Sequence, residues 1–341
     1  MKLLSAALVL VAVCTHAATL PAFTAQVLGP TAGFATSIAI DSRGTIYYTE
    51  QGGNIFRFDN GRSTVVATVN TNQLGNSGLL GMALINDFFA VVHYTTFGQT
   101  ADIISTVDLT SGTEAVLETL QADKDDPNGA SSPEHHGGNP SVGADGSIVV
   151  GIGDVLGYQI AADPEWNPGK IFRVHPNGQL EQFARGFRNP FGVVWDVANQ
   201  RVIATDNGDV GNDEINIVHV GDFCGWPYTE GTKPPVPGAV PPIYTFPMTV
   251  APTGILALSG RSAILRRGYL ICSFVTKTIY WVPDIDARPF PDPIPLVNDV
   301  PDGIIDVAEG PEGEILFVTG KAVYKLFPIR QRAVRTQPGV R

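Results

Sequence analysis

Short apolar runs rich in β-branched and aromatic residues alternate with glycine-bearing turns along most of the chain. A polar residue and usually a glycine precede each run, as in "RGTIYYT" from Arg43, "DGSIVVGI" from Asp145, "RGYLICSF" from Arg267 and "EGEILFVT" from Glu312. Looser versions are "NDFFAVVHY" from Asn86 and "NQRVIAT" from Asn199. These six units recur at intervals of roughly 45 to 70 residues, the period of propeller blades, each a small four-stranded sheet.

Several units lead into a further strand of alternating pattern. The stretches "GGNIFRF" (52–58), "GKIFRVHPNGQLEQF" (169–183), "KTIYWV" (277–282) and "KAVYKLF" (321–327) all read this way. Within the second, "HPNGQL" carries the Asn-Gly signal of a tight hairpin. Helical periodicity is nearly absent, and 37 glycines with 26 prolines supply turns. The expectation is an all-β, six-bladed β-propeller over residues 18–328, with ligands bound around its central channel. The Pro-rich stretch 230–247 is expected to be a long loop over one face.

The two ends read differently. Residues 1–17 hold one basic residue, Lys2, then a short apolar core and small residues near Ala17, the pattern of a cleaved secretory signal peptide. That core is shorter than the roughly 20 residues of a membrane span. Cys14 suggests a lipoprotein signal, but Val13 is a poor residue before a lipidated cysteine. The expected location is secreted or periplasmic, with no membrane span. Residues 329–341 form a basic tail. Loss of Lys2 takes the net charge from −11 to about −12, which argues against nucleic acid as a partner. Cys224 and Cys272 could pair after export, though two cysteines make no disulfide scaffold.

Three motifs bear candidate chemistry. "PEHHGG" puts His135 and His136 beside glycines, where an imidazole can serve as general base and a ligand can approach the backbone. Neighbouring side chains of an extended segment point to opposite sides, which argues against one shared metal. The bland alternative is a pair of turn residues. "GFRNPFG" (186–192) fixes Arg188 and Asn189 ahead of a proline, a guanidinium and an amide suited to a carboxylate or developing oxyanion. The alternative is a turn that satisfies its own carbonyls. "TDNGDVGNDEINIV" (205–218) is rich in oxygen ligands for a hard cation, or is an acidic surface loop. His93, His175 and His219 lie in strand-like runs and are read as structural.

In order, "NSGLLGMA", "HHGGNPSVGADGSI", "GKIFRV", "GFRNPFG", "NDEIN", "GWP" and "TVAPTG" resemble the glucose/sorbosone dehydrogenase family over residues 36–327. The resemblance implies an exported six-bladed propeller with pyrroloquinoline quinone (PQQ) on a calcium ion at the channel mouth. It implies oxidation of the anomeric carbon of an aldose or related sugar to a lactone, and an external electron acceptor. By motif position, His135 falls on the general base and His136 beside it. Arg188 and Asn189 fall on the pair at the quinone side, with Arg188 stabilising the reduced cofactor. Asn76 and Thr249 fall on cofactor contacts, and Gly208 and Asp209 on the backbone carbonyls that hold calcium.

The chain also departs from that pattern. Val275 stands where the quinoprotein glucose dehydrogenases have a lysine for the cofactor carboxylates, with Lys277 two residues on. Gly303 and Ile305 stand at an Arg-x-Arg pair with the same task. Asp209 replaces a proline, and Cys224 an aromatic residue. Two other function classes therefore stay open. One is a cofactor-free carbohydrate- or protein-binding module. The other is a calcium-dependent lactonase-type hydrolase drawing ligands from Asp206, Asp209, Asp213 and Glu214.

Overall fold

The computed structural model describes residues 22–71, 73–122, 132–298 and 300–329. It contains six four-stranded antiparallel sheets, the six-bladed propeller expected from the repeats. The leader (1–17) and all of the basic tail except Ile329 lie outside the described residues. Among the described residues no helix is long and apolar enough to cross a membrane. The only helical segments among them are three short 3-10 turns.

Each recurring unit forms the second strand of its blade. "RGTIYYT" becomes Ile46–Glu50, "DGSIVVGI" becomes Ile148–Ile152 and "EGEILFVT" becomes Ile315–Thr319. Flanked on both sides within the sheet, these strands bury both faces, hence their continuous apolar runs. The hairpin at "HPNGQL" joins Lys170–Val174 to Leu180–Arg185. The Pro-rich stretch is a loop up to Tyr244–Thr245, which forms the outer strand of the fourth blade.

The innermost strands are Ala35–Ile40, Leu79–Leu84, Ser141–Val142, Pro190–Asp196, Pro252–Ala257 and Ile304–Glu309. Each contacts the inner strands of the blades before and after it, closing a ring around the channel. Apolar side chains pack between blades as well as within them. Ile55 of the first blade shares one core cluster with Leu79 and Val92 of the second, and Ile203 and Ile215 of the fourth share another with Ile271 and Val282 of the fifth. Phe23–Pro30 closes the circle: it pairs with Ala322–Pro328 as the outer strand of the last blade.

Five inner strands share one irregularity. Pairing with the second strand shifts register near the start, at Ala35/Ser37, Leu79/Gly81, Pro190/Val193, Pro252/Ile255 and Ile304/Asp306. A bulge leaves backbone groups unpaired and bends the strand. All five occur at the same end of the channel, where the motifs converge.

Removal of residues 22–30 would strip the sixth blade of its outer strand and expose the edge of Ala322–Pro328. The shortened chain is expected to melt lower by roughly 10 °C or more. Circular dichroism melts decide this, and an unchanged midpoint would refute the closure role.

Candidate functional site

His135 sits in left-handed backbone (φ 59°), an uncommon state for a non-glycine residue and one that clusters at functional sites. The turn is held from below. A Cβ at Gly153 would stand 2.1 Å from the His135 carbonyl oxygen, so only glycine lets the two segments meet. His135 Nδ1 lies 2.7 Å from Oδ1 of the fully buried Asp154. Asp154 is itself fixed: Oδ1 accepts from the Leu156 N–H at 3.0 Å and Oδ2 from Trp226 Nε1 at 2.8 Å. With only donors around it, the carboxylate selects the tautomer that carries hydrogen on Nδ1. Among the described residues nothing bonds Nε2, which keeps its lone pair for a ligand. Asp154 was missed in the sequence reading; the one signal for it is a carboxylate closing "GIGD", two residues after a fully buried strand.

His136 does something else. Its Nδ1 lies 3.1 Å from both oxygens of Asp102, and its Nε2 lies 2.7 Å from the Ser132 carbonyl. His93 approaches the same carboxylate at 3.0 Å and the Gly138 carbonyl at 2.9 Å. Burial alone would push Asp102 up, but His136 and His93 hold it down to about 2. Burial likewise opposes charge on His136, and Asp102 outweighs it and raises the imidazole above its ordinary value. The trio ties the loop before the third blade to the second; His93 is buried away from the mouth, whereas His136 also lines the cavity there with both ring nitrogens already engaged.

The Arg188–Asn189 turn rests on Asp206, whose two oxygens accept the N–H groups of Arg188 (3.0 Å) and Asn189 (2.7 Å). Asn189 Oδ1 accepts from Gly137 N at 2.9 Å, which leaves its Nδ2 donor available. The Arg188 guanidinium donates to the Asn207 carbonyl at 2.9 Å and lies over the Trp226 ring. It stands behind the channel mouth, against Asp206 and Glu214. Thr249 is exposed and accepts from Gly211 N. Neither side chain lines the mouth, where the family pattern put them, and of the two adjacent histidines it is His136 that lines it while His135 stands just outside the lining.

The acidic stretch supplies no ready-made metal site. Asp213 accepts from the N–H groups of Val250, Ala251 and Gly208, and Glu214 from Gly231 N and Asn216 Nδ2. Asp209 is exposed, and its carbonyl accepts from Asn212 N. Among the described residues no group of three His, Cys, Asp or Glu side chains could hold a metal. The pool proposed for a hydrolase is thus largely committed to backbone. Burial pushes both Asp206 and Glu214 up, and repulsion between the two carboxylates raises Glu214 further. Cys224 and Cys272 are buried and unpaired, and burial pushes both thiols up.

The mouth itself is a cavity of about 220 Å³ with Phe34, Leu80, Phe191, Phe274 and Ile305 as its apolar wall. Asn76, Asn189 and Asn207 are among its polar members, and Asn76 donates to Glu134 at the rim. Among the described residues no lysine or arginine lines it. Val275 is half-exposed without charge, and Lys277 Nζ donates to the Pro301 carbonyl at 2.6 Å. A Cβ at Gly303 would stand 2.4 Å from the Phe274 ring, so that ring covers the place of the first missing arginine. Ile305 at the second is only 3% exposed. Tricarboxylate binding needs charge-assisted partners, each worth about 1.5–3 kcal/mol. The mouth does not fit the three carboxylates of PQQ.

Known proteins resemble this arrangement. The model of the glucose/sorbosone dehydrogenase family matches residues 34–327. An aldose sugar dehydrogenase of Escherichia coli K12 (YliI) is 22% identical over 59% of this chain and 62% of its own. An uncharacterised protein of Synechocystis is 28% identical over 36% of this chain and 34% of its own. The alignments thus span less than two thirds of either curated relative. The PQQ-bound aldose sugar dehydrogenase of Streptomyces coelicolor superposes with a TM-score of 0.75 at 20% identity, covering 90% of this chain and 99% of that one. At that identity the superposition speaks for the fold.

Two outcomes follow from the buried groups. His136→Ala strands Asp102 with one partner and is expected to cost about 3 kcal/mol in denaturant unfolding, while His135→Ala stays within roughly 1 kcal/mol. Equal costs would refute the division of roles. Secondly, Asp206, Glu214 and Asp306, the last pushed up to about 7 by burial, hold protons in the folded state that the unfolded chain releases near its ordinary carboxyl values of 3.8 to 4.5. Folding therefore takes up protons between about pH 4 and 7, and stability falls as pH rises through that window. The melting point is expected to be roughly 5 °C higher at pH 5 than at pH 7.5, with Asp306→Asn flattening the slope. A melting point that rises over this range contradicts the assignment.

Proposed function

The chain belongs to the glucose/sorbosone dehydrogenase family, and we propose that it oxidises the anomeric hydroxyl of an aldose or related sugar to the lactone, with His135 as general base. The Asp154–His135 pair is the observation that carries this reading. A carboxylate on Nδ1 fixes the ring and stabilises the imidazolium that forms when Nε2 takes a proton. In the reaction the sugar's hydroxyl proton goes to Nε2 while the hydrogen on the anomeric carbon leaves with two electrons to an acceptor at the mouth. Asn189 Nδ2 offers a donor to a ligand oxygen there. Reoxidation requires an electron acceptor outside the protein.

Of the cofactor pair that the family resemblance implies, PQQ meets the unsuitable wall described above. Calcium would depend on the backbone carbonyls of Gly208 and Asp209, and the reading does not rest on either group. The leader pattern at residues 1–17 supports export, so the working compartment is secreted or periplasmic.

The test is steady-state oxidation of a panel of aldoses with a quinone and a terminal dye. His135→Ala is expected to lower kcat by about 10²–10⁴-fold, and Asp154→Asn to shift the acidic limb of the pH profile, where the base is protonated, with little change in KM. Full activity in His135→Ala, or no oxidation of any aldose by the unaltered protein, sinks the proposal.

A further inference from the structure

We propose that the channel mouth takes an uncharged, planar quinone as the oxidant, in place of a carboxylate-bearing one. The choice of oxidant rests on the dehydrogenase reading above, whereas the binding it predicts is measured without sugar.

Two aromatic rings make the wall, and each lies against a glycine. Phe274 covers Gly303, and Phe34 covers Gly320, where a Cβ would stand 2.4 Å from the ring. Both rings keep a large share of their surface open, 44% for Phe274 and 39% for Phe34, although they line a cavity. Aromatic faces left open in a concave site favour flat apolar ligands that stack or pack edge to face. Phe191, Leu80 and Ile305 extend the same apolar surface.

Charge selects among flat ligands. Among the described residues the lysines nearest this side are engaged away from the cavity: Lys277 on the Pro301 carbonyl and Lys321 on Asp302 at 2.7 Å. Glu134 stands at the rim, held by Asn76. With a net charge of −11 the chain adds no cationic field, and His136, the ionisable base in the described lining, is already paired with Asp102, so each ligand carboxylate would be desolvated without a free counter-charge. The cavity of about 220 Å³ is also below the roughly 300–1,000 Å³ of ordinary small-molecule sites, which suits a compact ring system.

The redox step balances with this oxidant. The C–H and O–H bonds at the anomeric centre break and a C=O bond forms. The quinone receives the hydride from carbon and then the proton held on His135, leaving as the quinol. The lactone and a two-electron-reduced, uncharged carrier are the products, and a carrier of that kind can leave the site to be reoxidised elsewhere.

Isothermal titration of the purified protein tests the assignment, using 2-methyl-1,4-naphthoquinone and PQQ, each with and without calcium. The naphthoquinone is expected to bind with a Kd on the order of 10 µM, and PQQ at least about tenfold more weakly. Phe274→Ala and Phe34→Ala are each expected to weaken the naphthoquinone about tenfold, with melting points within a few degrees of the parent. Val275→Lys is expected to raise PQQ affinity about tenfold and to leave the naphthoquinone unchanged. PQQ binding as tightly as the naphthoquinone overturns the proposal, as does loss of tight PQQ binding in Lys277→Ala, which would show that lysine swinging in to grip a carboxylate. If the naphthoquinone binds and no aldose reduces it, the dehydrogenase reading fails while the mouth assignment stands. If aldoses reduce tightly bound PQQ, the dehydrogenase reading stands and the mouth assignment fails.

Discussion

Buried carboxylates that accept backbone N–H groups hold the channel mouth in shape. Inner strands that bulge at their starts leave amides with no ladder partner, and a buried orphan amide is costly. Side chains from neighbouring strands answer them. Asp306 takes Ile38 N, Asp206 takes Arg188 N and Asn189 N, and Asp213 takes Val250 N and Ala251 N. Thr95 and Asn189 do the same for Gly78 N and Gly137 N. Most of these bonds cross from one blade to the next, so they set the blades' mutual positions as well as the local turns.

This arrangement explains properties that look unrelated. The acidic composition is partly an interior feature, since Asp102, Asp154, Asp206, Asp213, Glu214 and Asp306 are all buried. Desolvation raises Asp206, Asp213, Glu214 and Asp306, whose partners are neutral amides for the most part, while Asp102 goes down because imidazoles face it. The same commitment to N–H groups removes Asp213 and Glu214 from the pool of free metal ligands. A stretch such as "NDEIN" thus reads in sequence as a cation loop and folds as a set of backbone braces.

The sequence disclosed the fold through its second strands, because strands flanked within a sheet need uninterrupted apolar runs. The inner strands were hard to see as strands. They carry glycine, proline and polar residues where they bulge, and these interrupt the period-2 pattern. The structure places them just after the motifs, since "HHGG", "RNPFG" and "TVAPTG" all fall at or just before their starts. Adjacent histidines could not be ranked locally. Asp154 lies 19 positions from His135 and Asp102 lies 34 positions from His136, so the partners that decide each role come only with the fold. Likewise nothing near Arg188 in the chain indicates that its guanidinium turns to the Asn207 carbonyl and away from the mouth.

The two halves of the site come from different parts of the ring, and this allows them to differ in kind. His135, Asp154, Arg188 and Asn189 belong to the third and fourth blades, and are interlocked by the Gly137–Asn189, Asp154–Arg188 and Asp206 bonds. A change to any of them disturbs the others. Phe34, Phe274 and Ile305, on the first, fifth and sixth blades, line the mouth with side chains that make no polar bond to it. Substitution there changes what the wall attracts and leaves the base in register. His135, Asp154 and Asn189 are thus braced by one another, whereas the aromatic wall, which only Asn189 of that group adjoins, is a variation the scaffold can accept at little cost to its fold.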